Sequence, residues 1–498
     1  MFDFSSLLSL PLLVILPLLF GIYILTPLCP NNEVVVRRFA KSATIFHFCY
    51  SSLFLIFYNK GFSSLFQPSW IGTLGCKFGF VMDELALLMT ILTTLIFSLA
   101  VIASKSQIRS SHKFYYALLL LFETTILGIF NAADSFTFFL FWELELIPAY
   151  FLIANWGEGQ DAKRSAIKFV LYTFIGSMFM LLGLLLIHYF SFLSSGSMNA
   201  EISSYDMSAV GIVLQVLVSL LLMLGFGVKL PIVPIHSWLP DAHTDAPTPI
   251  SMVLAGVLLK TGAYAIIRFN LQILPDAFGV IAPFLATLAF VNIIFAALVA
   301  YAQVDIKRIV AYSSISNMGL ILLGICSLNI IGLSGAMFHM VAHGLITVGL
   351  FMVCGIVMLR CKTRNIDCLG GIAKTMPRLF GFASIIVFAA IGIPLLPAFV
   401  GELVTIIGTM ASELSVAMKF VALFSLPMLI LSSCYMLKFL HKGFFGQLAV
   451  CKPNSDIMNH EFVVLFIILV LLFVLGIYPN SIMQIINASQ MMDGNGVW

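Results

Sequence analysis

Eight ionisable residues stand inside stretches apolar enough to be membrane helices: Glu123, Glu143, Glu145, Lys229, Lys260, His339, His343 and Glu402. A charged side chain near the bilayer centre costs about 2.5–3.5 kcal/mol on insertion scales, so such residues persist when paired, hydrated or functional. Glu143 lies in FLFWELELIPAYF and Lys229 in LLMLGFGVKLPIVP, beside an expected helix break. If the two face each other, the carboxylate favours the charged amine and burial favours the neutral one. Separating them would then release a proton, as a pump requires; the alternative is a static buried ion pair. Glu145, two residues on, points about 200° around the helix from Glu143 and is expected not to share its site.

Lys260 closes VLAGVLLK, eleven residues into its span. It is either a proton relay or a lysine that snorkels to an interface. His339 and His343 are four apart in MFHMVAHGL and share a helix face. Histidine titrates near neutral pH and suits a proton wire; a hydrogen-bonded core histidine is the other reading. A metal site has little support, since no HExxH glutamate or third ligand stands nearby. Glu402, in AFVGELVTIIG, could exchange protons with the far side of the membrane.

The elements that must carry these groups follow from composition. Of 498 residues 61% are hydrophobic and 9% charged, against about 25% charged in soluble domains. Each spanning helix needs about 20 apolar residues, and the runs supply about fourteen. They fall near 5–26, 42–59, 80–104, 114–132, 135–155, 166–190, 208–235, 248–270, 278–302, 308–328, 332–359, 378–411, 416–440 and 461–480. The fold expected is an all-α polytopic membrane protein. The opening MFDFSSLL has no positive n-region, so the first run is expected to be a helix rather than a cleaved signal. Nineteen of the 25 Lys and Arg residues collect on alternate connections, among them Arg37, Arg109, Arg308, Arg364 and Lys452; Lys60, Lys77, Arg268 and Lys419 fall opposite. By the positive-inside tendency both termini then lie on the non-cytoplasmic face.

An internal echo links VKLPIVPIHSW with IGIPLLPAFVGE, each with two prolines three apart beside an ionisable group. Proline breaks a helix, and paired broken helices point to inverted repeats around an ion path, although chance can also produce such a pair. The expected division is 1–110 for helices 1–3, 111–275 and 276–442 for two inverted five-helix repeats with helices 7 and 12 broken, and 443–498 for helix 14 and the tail.

The nine cysteines include no CxxC pair, so an iron–sulfur or structural zinc site has no support. Cys354, Cys361 and Cys368 are read as small apolar residues near a helix end. The net charge of +3 is dispersed and offers nucleic acid no basic patch. Neither GxGxxG nor GxxxxGK opens a helix after a strand.

FWELELIP, KFVLYTFIGS, VKLPIVPIHSWLPDAHTDAPTPIS, LAGVLLKTGAY, KRIVAYSSISNMG, AHGL and FVGE occur in that order. In this the chain resembles the antiporter-like subunits of NADH:quinone oxidoreductase, the complex I family, related to Mrp antiporters, and most of all the chain 4 or subunit M type. The likeness is strong over residues 80–410, and its wording is nearest the cyanobacterial and chloroplast branch. It implies a proton relay through Glu143, Lys229, Lys260, His343 and Glu402. Glu123, Asp134, His236, Asp241, His339, Ser316 and Asn317 would support it. No metal and no cofactor is expected in this chain. NAD(P)H or ferredoxin, flavin, iron–sulfur clusters and quinone would sit on partner subunits of the membrane-bound assembly. The sequence departs from the family pattern in two places. Asn317 stands where members carry histidine, which weakens a relay through the tenth helix unless water beside Ser316 and Asn317 serves. IPLLPAF lacks the usual glycine, so Pro397 is expected to shape that break. An Mrp-type cation/proton antiporter, a membrane-bound hydrogenase subunit, and a purely structural subunit are the alternatives.

Overall fold

The computed structural model describes residues 9–58, 65–108, 110–159, 161–196, 198–447 and 455–492. Lys60, Arg109, Cys451, Lys452 and the first residues of the opening span lie outside them.

Helices α1 (Leu10–Leu25) and α2 (Glu33–Tyr58) precede two small antiparallel ribbons. These pair β1 (Leu65–Phe66) with β4 (Phe80–Val81) and β2 (Ser69–Ile71) with β3 (Cys76–Lys77). Next come α3 (Glu84–Ala103), α4 (His112–Asn131), α5 (Ser135–Leu144), α6 (Leu146–Trp156), α7 (Ala162–Ser195), α8 (Ile212–Lys229) and the short α9 (Trp238–Asp245). One helical run then joins α10 (Thr248–Val253) and α11 (Leu259–Ala265), with π-turns over Leu254–Leu258 and Ile266–Leu271. The chain continues through α12 (Pro275–Ala302), α13 (Ile306–Cys326), α14 (Ile330–Cys361), α15 (Ile372–Thr375), α16 (Pro377–Ile391) and α17 (Pro397–Met410). It closes with α18 (Val416–Ser425), α19 (Pro427–Phe444), α20 (Asn459–Ile477) and α21 (Asn480–Met492).

Local chemistry sets these boundaries. Asp134, Asp305 and Asn329 accept backbone N–H groups as N-caps of α5, α13 and α14. Proline opens α16, α17 and α19, where its missing N–H has no partner to lose. α7 ends on Gly196 at φ 70°.

Among the described residues twelve helical runs are long and apolar enough to cross a membrane, and α1, α16 and α17 are shorter apolar helices. Large apolar side chains such as Leu171, Phe174 and Ile175 on α7, or Phe420, Phe424 and Ile430 on α18 and α19, point outward. That surface suits lipid tails rather than water. The run Thr248–Leu271 and α14 are instead buried all round, and they carry Lys260, His339 and His343.

The chain packs as two units. Unit 1 comprises Met1–Val101, Ile108–Leu230 and Lys260–Ile281; unit 2 comprises Ile102–Gln107, Pro231–Leu259 and Ala282–Trp498. Within unit 1, α1 lies on α4, and α7 on α6 and α8; within unit 2, α14 packs against α13, α17 and α20.

The seventh span stops at Lys229 and resumes as α9, with a cis Val233–Pro234 bond between. The twelfth stops at Ile391. Pro397 does open its second half, but Gly392 (φ 81°) and Leu395 (φ 72°) make the turn, so a glycine shapes this break after all. Two further breaks were not expected: span 5 divides at Glu145, and span 13 divides at Leu426 ahead of Pro427.

Candidate functional site

In unit 1 the site begins with the broken span 5. α5 ends at Leu144, and Glu145 is the joint before α6, three residues ahead of Pro148. Pro148 has no N–H to give the Leu144 carbonyl one turn back, so α5 ends at Leu144, and the ladder resumes when Ala149 donates to the Glu145 carbonyl at 3.3 Å. Lys229, the last residue of α8, ion-pairs with Glu145, and both are fully buried. Its Nζ donates to the Trp142 carbonyl at 3.3 Å and lies 3.4 Å from the centroid of the Trp142 ring. Its place at a helix C-terminus also suits a cation.

The expected partner needs correcting. Glu145, not Glu143, makes the direct pair. Glu143 is half-buried, meets the Ser177 hydroxyl of α7, and acts on Lys229 through its charge. The 200° rule presumed one continuous helix, and the joint at Glu145 lets both carboxylates flank one amine.

Lys260 is fully buried in the run between the two π-turns, so it does not snorkel. π-turns recur at functional sites because they disturb the regular ladder. Two residues on, a Cβ at Gly262 would stand 2.8 Å from the Leu230 amide and 2.9 Å from the Phe226 carbonyl. The Lys260 helix therefore packs directly on the last turn of α8.

In unit 2, α13, α14 and α17 bring Asn317, His339, His343 and Glu402 into one neighbourhood. His339 Nε2 lies 2.9 Å from Asn317 Oδ1, and Asn317 Nδ2 donates to the Ser313 carbonyl at 2.8 Å. The His339 and His343 rings are 6.3 Å apart. A cavity of about 10 Å³ for the centre of a water is lined by Ser313, Asn317, His339, His343, Thr347 and Ala398, enough for about one water. A Cβ at Gly401 would meet His339 at 2.8 Å, and one at Gly392 would strike the Glu402 carboxylate. Glu402 is buried, neither of its oxygens has a hydrogen-bond partner among the described residues, and Tyr435 of α19 is its electrostatic neighbour.

Other predicted residues sit apart from these two centres. Ser316 donates to the Ile293 carbonyl of α12 at 2.9 Å and does not line the cavity. His236 faces the rings of Phe295 and Tyr312. Asp241 receives Arg308 at 2.7 Å. Asp134 caps α5 through the amides of Phe136 and Thr137. Glu123 is buried against His47, 2.7 Å from its Nδ1, and His47 Nε2 lies 2.9 Å from the Leu13 carbonyl. That histidine was missed, as were Trp142 and His243, which stacks on Phe351 with centroids 5.0 Å apart. Cys361 is disulfide-bonded rather than merely apolar filler. Among the described residues no three His, Cys, Asp or Glu side chains converge as a metal site would need.

Residues 132–476 match the model of the transmembrane family described as NADH:quinone oxidoreductase/Mrp antiporter. The chain belongs to this family. Chain 4 of NAD(P)H-quinone oxidoreductase from Thermosynechococcus vestitus is 37% identical over 485 residues, 95% of this chain and 90% of that protein. The Synechococcus elongatus protein is 38% identical over 430 residues, covering 86% and 80%. Among solved structures, a chain of respiratory complex I from Thermus thermophilus superposes with TM-score 0.86 at 26% identity, covering 98% of this chain and all of that one. A chain of the Mrp complex from a Dietzia species superposes equally well at 19% identity, 98% and 97% covered, which speaks for the fold alone.

Proposed function

We propose that this chain is a proton-translocating membrane-arm subunit of an NAD(P)H–quinone oxidoreductase of the complex I type, in the position called chain 4. The observation that carries the reading is the Lys229–Glu145 pair, buried at the joints of two broken helices in a family of that description. Electron transfer belongs to partner subunits: the nicotinamide or ferredoxin donor, the flavin, the iron–sulfur clusters and the quinone are theirs. The chain is a multi-pass protein of an energy-coupling membrane, with about fourteen spans in two inverted five-helix repeats and both termini on the non-cytoplasmic side.

In this mechanism quinone reduction elsewhere shifts charge along the membrane arm. Glu145 and Glu143 move relative to Lys229, and the buried ammonium loses a stabilising anion. A proton leaves Nζ, passes by way of Lys260 and His343 to Glu402, and is released; Lys229 is then reprotonated from the other side. His339, Asn317 and one water extend the polar path around His343. Moving one charge against 100 mV costs about 2.3 kcal/mol, which a swing of about two pKa units at one group supplies. The test is proton pumping by the purified assembly in sealed vesicles during quinone reduction. Pumping that stops with a quinone-site inhibitor supports the reading. Quinone reduction with no proton movement contradicts it, and sodium-dependent transport without quinone reduction would favour the antiporter reading, which the shared family description keeps open.

A further inference from the structure

α5 and α7 each carry a group of the Lys229 site, and both reach a second polar cluster at their other ends. Asp134 caps α5 at the end opposite Glu143 and Glu145. Ten residues of helix separate them, about 15 Å. On α7, His188 follows Ser177 by eleven residues, which returns it to the same helix face, about 16 Å along. Both lie on the buried stripe of α7.

His188 Nδ1 stands 3.5 Å from the Tyr205 hydroxyl, which in turn lies 2.6 Å from the Ser135 hydroxyl. Asp134 acts on His188 through its charge, the Leu74 carbonyl accepts a hydrogen bond from its ring, and the Phe136 ring stands against it edge-on. Asp134 also accepts the Lys77 amide at 3.1 Å. Lys77 Nζ reaches Gln67 at 3.2 Å and Glu201 at 3.4 Å, and Cys76 acts on Tyr205 and Asp134 through space. Exposure rises outward: Asp134 is 1% exposed and His188 6%, whereas the Lys77 and Glu201 side chains are 36% and 25% exposed. The backbones of Glu201 and Asp134 pair, which sets a solvent-touching carboxylate beside the buried aspartate, the hydroxyl pair and the histidine.

We propose that His188, Tyr205, Ser135 and Asp134 form a proton-exchange port of unit 1, through which the Lys229 site communicates with the solution bathing the loop around Glu201. It rests on the proton-translocating reading above and adds an exchange point at this end of unit 1. Burial pushes the Asp134 carboxyl up despite the opposing pull of three backbone amides, so it holds its proton to higher pH than a surface aspartate does. Burial likewise raises the Tyr205 phenol, which keeps its O–H as a bridging donor.

The experiment uses the whole assembly in vesicles and counts protons moved per quinone reduced, with the pH on each side varied separately. Wild type, Tyr205→Phe, His188→Gln and Lys229→Arg are compared. Tyr205→Phe removes one hydroxyl and keeps the ring. It is expected to lower the proton yield about tenfold, the size of one lost hydrogen bond, and His188→Gln to flatten the yield's dependence on pH at the port side. Quinone reduction with an uncoupler stays at the wild-type rate in both. If both variants keep wild-type yield and pH dependence while Lys229→Arg loses pumping, the port is overturned and the proton-subunit reading stands. Wild-type complex that reduces quinone without pumping overturns both.

Discussion

Lys229 is held by a carboxylate, a carbonyl and an aromatic face at once. Removing one partner of a buried pair typically costs about 3–5 kcal/mol, because a charge is left uncompensated. Glu145→Gln should therefore lower both pumping and the amount of assembled complex on native gels. Glu143→Gln should spare assembly and slow pumping, because Glu143 keeps its distance from the amine. Equal loss of assembly in both would contradict that division of labour. The sequence made Lys229 conspicuous, since a lysine in an apolar run beside prolines has few structural excuses. It misled on the partner, because counting 100° per residue requires an unbroken helix and Glu145 is where the helix breaks. The Asn317–His339 bond was illegible for another reason: it depends on the register between α13 and α14, which no single span encodes. Asn317 is therefore not simply a missing histidine, as it hands its carbonyl oxygen to one on the next helix.

At the scale of elements, glycines decide how closely the charged helices approach. Gly262→Ala would press a methyl group on the backbone at the end of α8. Overpacking of this kind costs about 1–3 kcal/mol, so the variant should lower the thermal stability of the assembly and displace Lys260 from α8. An unchanged melting temperature and unchanged pumping would contradict that packing. Gly392→Ala combines a positive φ with a methyl group driven onto Glu402, and strain of about 1–2 kcal/mol is expected from the backbone alone. Hydropathy made the spans readable, and prolines marked the breaks after Lys229 and before Glu402. The π-turns around Lys260 left no trace, because they arise from how neighbours pack and not from any residue type. The joint at Glu145 had a signal in Pro148, but a proline within an apolar membrane span is common.

At the scale of the whole molecule, two units each hold a buried titratable centre, one built on Lys229 and the other on the His339–His343 pair beside Glu402. In the proposed orientation the loops around Ser204 and Asn365 face opposite sides of the membrane. Single cysteines at these exposed positions should react with an impermeant maleimide from opposite faces of sealed vesicles, and labelling of both from one face would contradict the topology. The lipid-facing character and family were legible from composition and motif order; the partition into units was not, since the helix of Lys260 leaves its sequence neighbours to join unit 1. The central claim is that Lys229 works by giving up a proton, and not merely by carrying a charge. Lys229→Arg tests this most directly, because guanidinium keeps the ion pair but holds its proton at any accessible pH. Measured in the reconstituted assembly, it should leave the complex assembled and quinone reduction intact while abolishing proton pumping. Full pumping by the arginine variant would mean that the buried pair is a structural tie and that protons cross elsewhere.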